Sequence, residues 1–548
     1  MPKVQDIPFH DIPHQCALFL SYLDLSPAAL HFYQYAPTIG NLEDAARNSL
    51  GGMEFPRNEM ASILRRQNES FGCDAETVRR IEELAKPDSV AVLTGQQVGL
   101  FSGPLYTVYK AVTAIHISEH LKKRGIRAIP VFWMDTEDHD LTEVARRTVL
   151  DAPASIQSID YQNVIYKDRP LASHSVGSLR FPDAIQDATR DYCSHLPDSI
   201  WKEEVWSNLE SSYQSGSTFS LSFARLLQKI LSGSGLILFD PQDKEAKRLV
   251  SPVFRKALCE SETVHAALMQ RSQDLAAAGF HSQVTVQDNS TVLFLSPDGE
   301  RCALERQDSG FRLKNSRQAF SLDTLLDWVE QTPEKFSSNV LLRPLVQDHL
   351  FPTIAYAGGS SELAYFAQIE ILYRLFARPM PVIWPRNSFT LLEPETAAAM
   401  DQYGIKVQDC FQGKQSLVES VLRRSGLSKA GSRLEKLEER LDQVLSEIKP
   451  EMQAVERPLA DAVENARRKI IHNVQHLKSQ AIRLDAARDR SLSSAIELVL
   501  NLCYPNLNLQ ERELTILHFL SRHGPSLLDT IHSATEIGNF AHRVLRLE

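Results

Sequence analysis

The sequence predicts an α/β fold, a parallel-sheet core wrapped by helices with a helical arm attached, and three observations carry that expectation. Short apolar runs, "VAVL", "AIPVFWM", "GLILFD" and "MPVIW", recur between segments of helical periodicity, as buried parallel strands do. The stretch from Val90 to Met134 reads strand, glycine turn, helix, strand, which is a βαβ unit. From Arg433 the apolar residues fall instead at alternating spacings of three and four, the signature of a coiled coil.

With 548 residues the chain is too long for one core, so several units are expected. Residues 1–85 read as an N-terminal helical flank, in which "MASILRRQNESFG" and "AETVRRIEELAK" are amphipathic helices. Residues 86–420 form the core, with insertions near 150–230 and 278–315. The first insertion holds strand-like "SIQSIDYQNVIY" and helical "TFSLSFARLLQKILSG". In the second, the turns "QDNS", "PDGE" and "QDSG" separate alternating strands, which predicts an antiparallel meander. Residues 433–500 form the coiled-coil arm, with Leu434, Leu437, Leu441, Val444 and Ile448 on its seam and Pro450 and Pro458 at a break. Residues 501–548 return to helix packed on the core.

Composition excludes several classes. A net charge of −10 without clustered Lys/Arg and interleaved aromatics argues against nucleic acid as a partner. Seven scattered cysteines with no CxxC pair argue against a disulfide framework or structural zinc. The N-terminus lacks a signal pattern and no apolar run reaches membrane length, so a cytoplasmic protein without membrane contact is expected.

Four stretches carry chemistry. In "TGQQVGLFSGPLYTVYK", Gly95, Gly99 and Gly103 fit neither the GxGxxG nor the P-loop spacing. They nevertheless lead to Pro104 and a helix start with Thr107 and Lys110 in its first turns, the parts of an anion site. A tight turn without a ligand has the same spacing. "DTEDHD" places Asp135, Glu137, Asp138, His139 and Asp140 at the end of a strand, where they could hold an amine, transfer a proton or ligate a metal. Asp140, just before Leu141, also reads as a helix cap. "AYAGGSSELAYFAQ" repeats the glycine turn at Gly358 and Gly359, followed by a helix with Glu362. "MPVIWPRNSF" ends in Trp384 and Arg386, an aromatic face and a guanidinium suited to a nucleotide or a carboxylate.

Together with "GLILFDP" and the late "LQER", these stretches resemble, across essentially the whole chain, the cysteine-adding enzymes of bacillithiol biosynthesis. The resemblance implies a Rossmann-like core related to class I aminoacyl-tRNA synthetases and a coiled coil that supports a homodimer. It also implies the activity, an ATP-dependent ligase that uses Mg2+ and joins the carboxyl of L-cysteine to the amine of glucosaminyl malate in the last step of the pathway. Neither the HIGH tetrapeptide nor a KMSKS loop of those synthetases is present, and Ser360 and Ser361 stand where the family usually has Pro-Gly. The expected roles are catalysis for Asp135, Glu137, Asp138, His139 and Lys110. Gln96, Gln97, Tyr106, Tyr356, Glu362, Trp384 and Arg386 are expected to bind substrate, and Gly95, Gly99, Gly103, Thr107, Gly358 and Gly359 to bind the nucleotide. Two alternatives stay open: a metal-dependent hydrolase built on "DTEDHD", and a nucleotide-binding scaffold in which the coiled coil is the working part.

Overall fold

Five parallel strands make the central sheet, in the spatial order Val382–Pro385, Thr353–Gly358, Ser89–Gln97, Arg127–Asp135, Ile237–Phe239. Along the chain the first of these lies in the middle and the order reverses beside it, the Rossmann-like arrangement whose crevice opens at the carboxyl ends of the strands. The computed structural model describes residues 4–48, 50–151, 155–166, 174–307, 310–425, 429–488 and 490–548.

The apolar runs form strands because both sheet faces are covered. Ser89 to Gly95 are buried without a break, as are Ala128 to Met134. Pro130 is tolerated inside a strand because the next strand pairs only from Val131 onward. The helix Leu105–Lys123 follows the first turn as predicted, and Gly125 behind it takes φ +76°. The predicted apolar face, Leu105, Val108, Tyr109, Val112 and Ile115, is buried, but so is most of the rest of the helix. Its outer side is covered by the C-terminal segment, and Tyr109 meets Phe389 edge-on with ring centroids 5.2 Å apart.

The insertions differ in detail from their patterns. In the first, Arg146–Asp151 and Ser155–Asp160 form an antiparallel hairpin, and Tyr161–Tyr166 is helix where a strand was expected. Thr218 caps the predicted helix Phe219–Ile230. The second is the expected meander, but it runs past residue 315: Ser290–Leu295, Cys302–Gln307, Gly310–Leu313 and Ala319–Phe320 are joined by Phe336–Ser338. Asp308 and Ser309 of the "QDSG" turn lie outside the described residues. The terminal segments, expected to be helical, also contain strands. Val4–Ile7 pairs antiparallel with His542–Arg546, which pairs parallel with Ser388–Leu392, so the two ends of the chain share one small sheet.

The arm is a hairpin of helices Lys429–Val455 and Arg457–Arg488. Pro450 lies inside the first helix, and the break comes at Glu456, with Pro458 in the first turn of the second. Ion pairs Lys449–Glu464, Asp442–Arg467 and Glu438–Lys478, at 2.6–2.7 Å, run in opposite numerical directions and fix the antiparallel register.

Candidate active site

A cavity of about 650 Å3 opens where the sheet order reverses, between the ends of the strands Ser89–Gln97 and Thr353–Gly358. Its lining brings together the carboxylates Asp135, Glu137, Asp138, Glu143 and Glu362 and the cations Lys110, Arg301, Arg343, Arg386 and Arg512. A pocket lined by both charge signs can receive a molecule carrying both an amine and carboxylates.

Lys110 is buried at the centre. Its Nζ donates to the carbonyl of Gly95 (2.9 Å) and to Oε1 of Gln96 (2.8 Å), and lies 2.5 Å from Oε2 of Glu362. Glu362 also accepts from the Tyr356 hydroxyl (2.6 Å) and the Gly359 N–H (2.8 Å). Burial pushes the Lys110 ammonium below its usual range, partly opposed by Glu362. Burial alone would raise the Glu362 carboxyl, yet Lys110, Tyr356 and the Gly359 N–H outweigh it and hold the group ionised. These two residues, predicted from separate motifs, thus form one buried pair.

The acidic segment divides. Asp135 is half-buried in the pocket, and burial and then Asp138 raise its carboxyl from 3.8 to about 6, against the pull of Arg343 and Arg301. Asp138 accepts from Gln97 Nε2 (2.5 Å) and the His139 N–H (2.7 Å). Glu137 also lines the pocket, but its carboxylate is paired with the buried Lys247. Asp140 caps the helix Leu141–Ala145, accepting from the Glu143 N–H at 2.9 Å. His139 does not line the pocket; it is exposed, with Nδ1 3.2 Å from Arg301 Nη1. Among the described residues, no three donors of this segment come close enough to share an ion.

The two glycine turns have different uses. Gly95 lines the pocket, and a side chain there would strike the carbonyl of Trp133 on the adjacent strand. Gly99 and Gly103 do not line it. They pack on each other and on Arg147, and Gly103 takes φ +70°. The first N–H of the following helix, from Leu105, donates to the Leu514 carbonyl at 2.8 Å, and Thr107 is fully buried. Gly99, Gly103 and Thr107, expected to contact nucleotide, therefore pack against protein and do not face the cavity. The second turn has the opposite character. Gly359, Ser360 and Ser361, at the start of the helix Ser360–Leu375, line the cavity, and Arg512 on the rim holds a long 3.4 Å contact to Ser360 Oγ. Gly358 lies just behind, in a small adjoining hollow. These residues fit a nucleotide phosphate, because a helix N-terminus and a guanidinium converge on the same space.

Gln96, Gln97, Tyr106, Tyr356 and Glu362 line the pocket as expected, but two of the predicted substrate contacts change character. Trp384 is buried in the core against Phe540, with ring centroids 5.3 Å apart, and does not reach the cavity. Arg386 lines it, but both terminal nitrogens are bound by the buried carboxylate of Glu511 at 2.6 and 3.0 Å, so its fork is already occupied. Sequence reasoning missed Arg301 and Arg343. Arg343 is buried, donates to Tyr365 (3.0 Å) and Gln347 (2.9 Å), and lies over the Tyr356 ring at 5.4 Å. Arg301, stacked on Phe294 at 3.8 Å, comes from the meander. Neither sits in a local motif, whereas Arg512 lies within the quoted "LQER" and could have been found there.

The chain matches two family models, "Bacillithiol biosynthesis BshC, N-terminal Rossmann-like domain" over residues 3–387 and "Bacillithiol biosynthesis BshC, C-terminal coiled-coil domain" over residues 389–547. It is 34% identical over 530 residues to a protein of Salinibacter ruber named "Putative cysteine ligase BshC", covering 96% of each chain. A protein of the same name from Koribacter versatilis is also 34% identical, over 542 residues and 99% of each chain. A solved arginyl-tRNA synthetase from Campylobacter jejuni aligns with 86% of this chain and 97% of its own at a TM-score of 0.23 and 9% identity, too slight a likeness to bear on the fold. Among the described residues no helix is long and apolar enough to cross a membrane. Matched from the Rossmann-like core through the coiled-coil arm, the chain belongs to the BshC family of bacillithiol biosynthesis.

Proposed function

We propose that this chain is an ATP-dependent ligase that forms the amide between the carboxyl of L-cysteine and the amine of glucosaminyl malate. The observation that carries the reading is the 650 Å3 cavity lined by both carboxylates and cations. Its support from relatives is the cysteine-ligase name borne by the Salinibacter ruber and Koribacter versatilis proteins.

Glucosaminyl malate presents one amine and two carboxylates, which calls for lining groups of both signs. The amine goes to Asp135 and Asp138, and Asp135, titrating at about 6, is a carboxylate at neutral pH with enough basicity to take a proton from the attacking amine. The malate carboxylates go toward Arg343. Lys110, with its three donors taken by Gly95, Gln96 and Glu362, ties the end of the strand Ser89–Gln97 to the helix carrying Glu362 and so holds the two sides of the pocket in register. Gly359, Ser360 and Ser361 with Arg512 would hold the nucleotide phosphates, and ATP with Mg2+ supplies the activation that makes a carboxylate electrophilic.

We further infer a homodimer formed through the arm. Leu437 and Val444, and on the second helix Ile470, Leu477 and Leu484, repeat at sevens and are exposed. Such a stripe is what a second hairpin would cover.

The test is the purified protein with L-cysteine, glucosaminyl malate and Mg-ATP, read by mass spectrometry for the thiol product and for AMP or ADP. Product that requires all three supports the reading. Folded protein that binds nucleotide but makes no product, with cysteine or alternative amines, would sink it.

A further inference from the structure

A second cluster of chemistry-bearing side chains lies away from the cavity, on the helix Leu105–Lys123. Glu119 is about 13 Å along the helix axis from Lys110. His116 and Glu119 are three residues apart and therefore share a helix face. The helix Ser526–Ala534, near the far end of the chain, brings His532 to that face. One donor atom from each of His116, Glu119 and His532 lies within 4.8 Å of the others, and all three residues are half-buried. Nε2 of His532 is 3.0 Å from Oε2 of Glu119, and the two imidazole rings are 5.1 Å apart, centroid to centroid.

An ion pair between His532 and Glu119 accounts for only part of this arrangement. Nδ1 of His116 is buried and has no hydrogen-bond partner, a cost that a pair formed without it leaves standing. Two imidazoles and one carboxylate suit a borderline transition ion; calcium and magnesium favour all-oxygen sites. Zinc–ligand bonds of about 2.0–2.1 Å place tetrahedral donors about 3.3 Å apart, so the cluster needs a contraction that side-chain rotation can supply.

We propose that His116, Glu119 and His532 bind one divalent ion of the zinc class, with water in the fourth position, and that this ion fastens the C-terminal helix to the helix carrying Tyr106 and Lys110. The cysteine spacing that argued against structural zinc is silent about such a site. Its ligands are two residues of one helix and a histidine brought in from the other end of the chain.

The experiment uses untagged full-length protein, stripped with a chelator and titrated with Co2+, then Zn2+. Expected are about one Co2+ per chain, visible absorption of a four-coordinate nitrogen–oxygen site, displacement by Zn2+ and a higher unfolding temperature with Zn2+ bound. His116→Ala and His532→Ala should each weaken binding beyond the roughly 10–100-fold that outer-shell changes cost. His472→Ala, on the exposed arm, should leave it unaltered. Glu119→Gln, close in shape, serves the same purpose should the alanine variants fold poorly. Wild-type protein with no stoichiometric Co2+ spectrum, a thiolate charge-transfer band, or binding that survives both histidine variants overturns the site. Binding at these residues without a rise in unfolding temperature overturns the fastening role. None of these readouts depends on the ligase reaction.

Discussion

Arg386 and Arg512 both line the cavity, and their surroundings assign them opposite roles. Arg386 is locked in a buried bidentate pair with Glu511, so Arg386→Ala strands a buried carboxylate. It should cost about 3–5 kcal/mol in denaturant unfolding. Arg512→Ala should leave the unfolding midpoint in place and raise KM for ATP roughly 10–100-fold, the worth of a charge-assisted hydrogen bond. Asp135 supplies a pH test. Its folded value of about 6 exceeds the ordinary 3.8, so between about pH 4 and 6 the folded chain holds a proton that the unfolded chain has lost. Stability therefore falls as pH rises through that window and levels off above it. Asp135→Asn should abolish the fall, gaining up to about 3 kcal/mol at pH 8 relative to wild type. It should also remove the rise in amide formation near pH 6, read by initial rates. The residue types of this site were legible in the sequence, because "DTEDHD", Lys110 and Glu362 stand in recognisable stretches. Which carboxylate is free was not: Glu137 looks like Asp135 until Lys247 is packed against it.

At the scale of elements, two glycine turns of similar appearance do different work because of what packs on them. The turn at Gly99 and Gly103 is closed by Arg147 and by the Leu514 carbonyl, both distant in sequence. Gly99→Ala would force a methyl group against Arg147 and the Gly103 Cα, the latter at 2.8 Å. It should destabilise the protein by about 1–3 kcal/mol, measured by thermal or denaturant unfolding, with nucleotide affinity of the folded fraction unchanged. A loss of nucleotide binding with stability intact would restore this turn as a phosphate site. Strands and helices of the core were readable from period and apolar runs. The hairpin residues after Asp160 were not, since "YQNVIY" satisfies either period over so short a length.

For the whole molecule, the arm sets the expected assembly. A charge placed in the exposed stripe, as in Leu477→Glu, where the leucine is 53% exposed, should turn a dimer into a monomer in sedimentation equilibrium. Unfolding of the core should stay unchanged. A wild-type protein that sediments as a monomer at all concentrations would remove the dimer.

The sequence by itself determined the α/β class, the helical hairpin, the cap at Asp140 and the stretches that build the cavity, because each follows from local period, spacing and turn chemistry. Only the tertiary structure decided that Lys110 pairs with Glu362, that Arg386 is consumed by Glu511, that Trp384 is core and that His532 reaches His116 and Glu119. Those outcomes depend on which distant segments the sheet order and the C-terminal wrap bring together. Pairing across such distances leaves no periodic trace in either partner's neighbourhood.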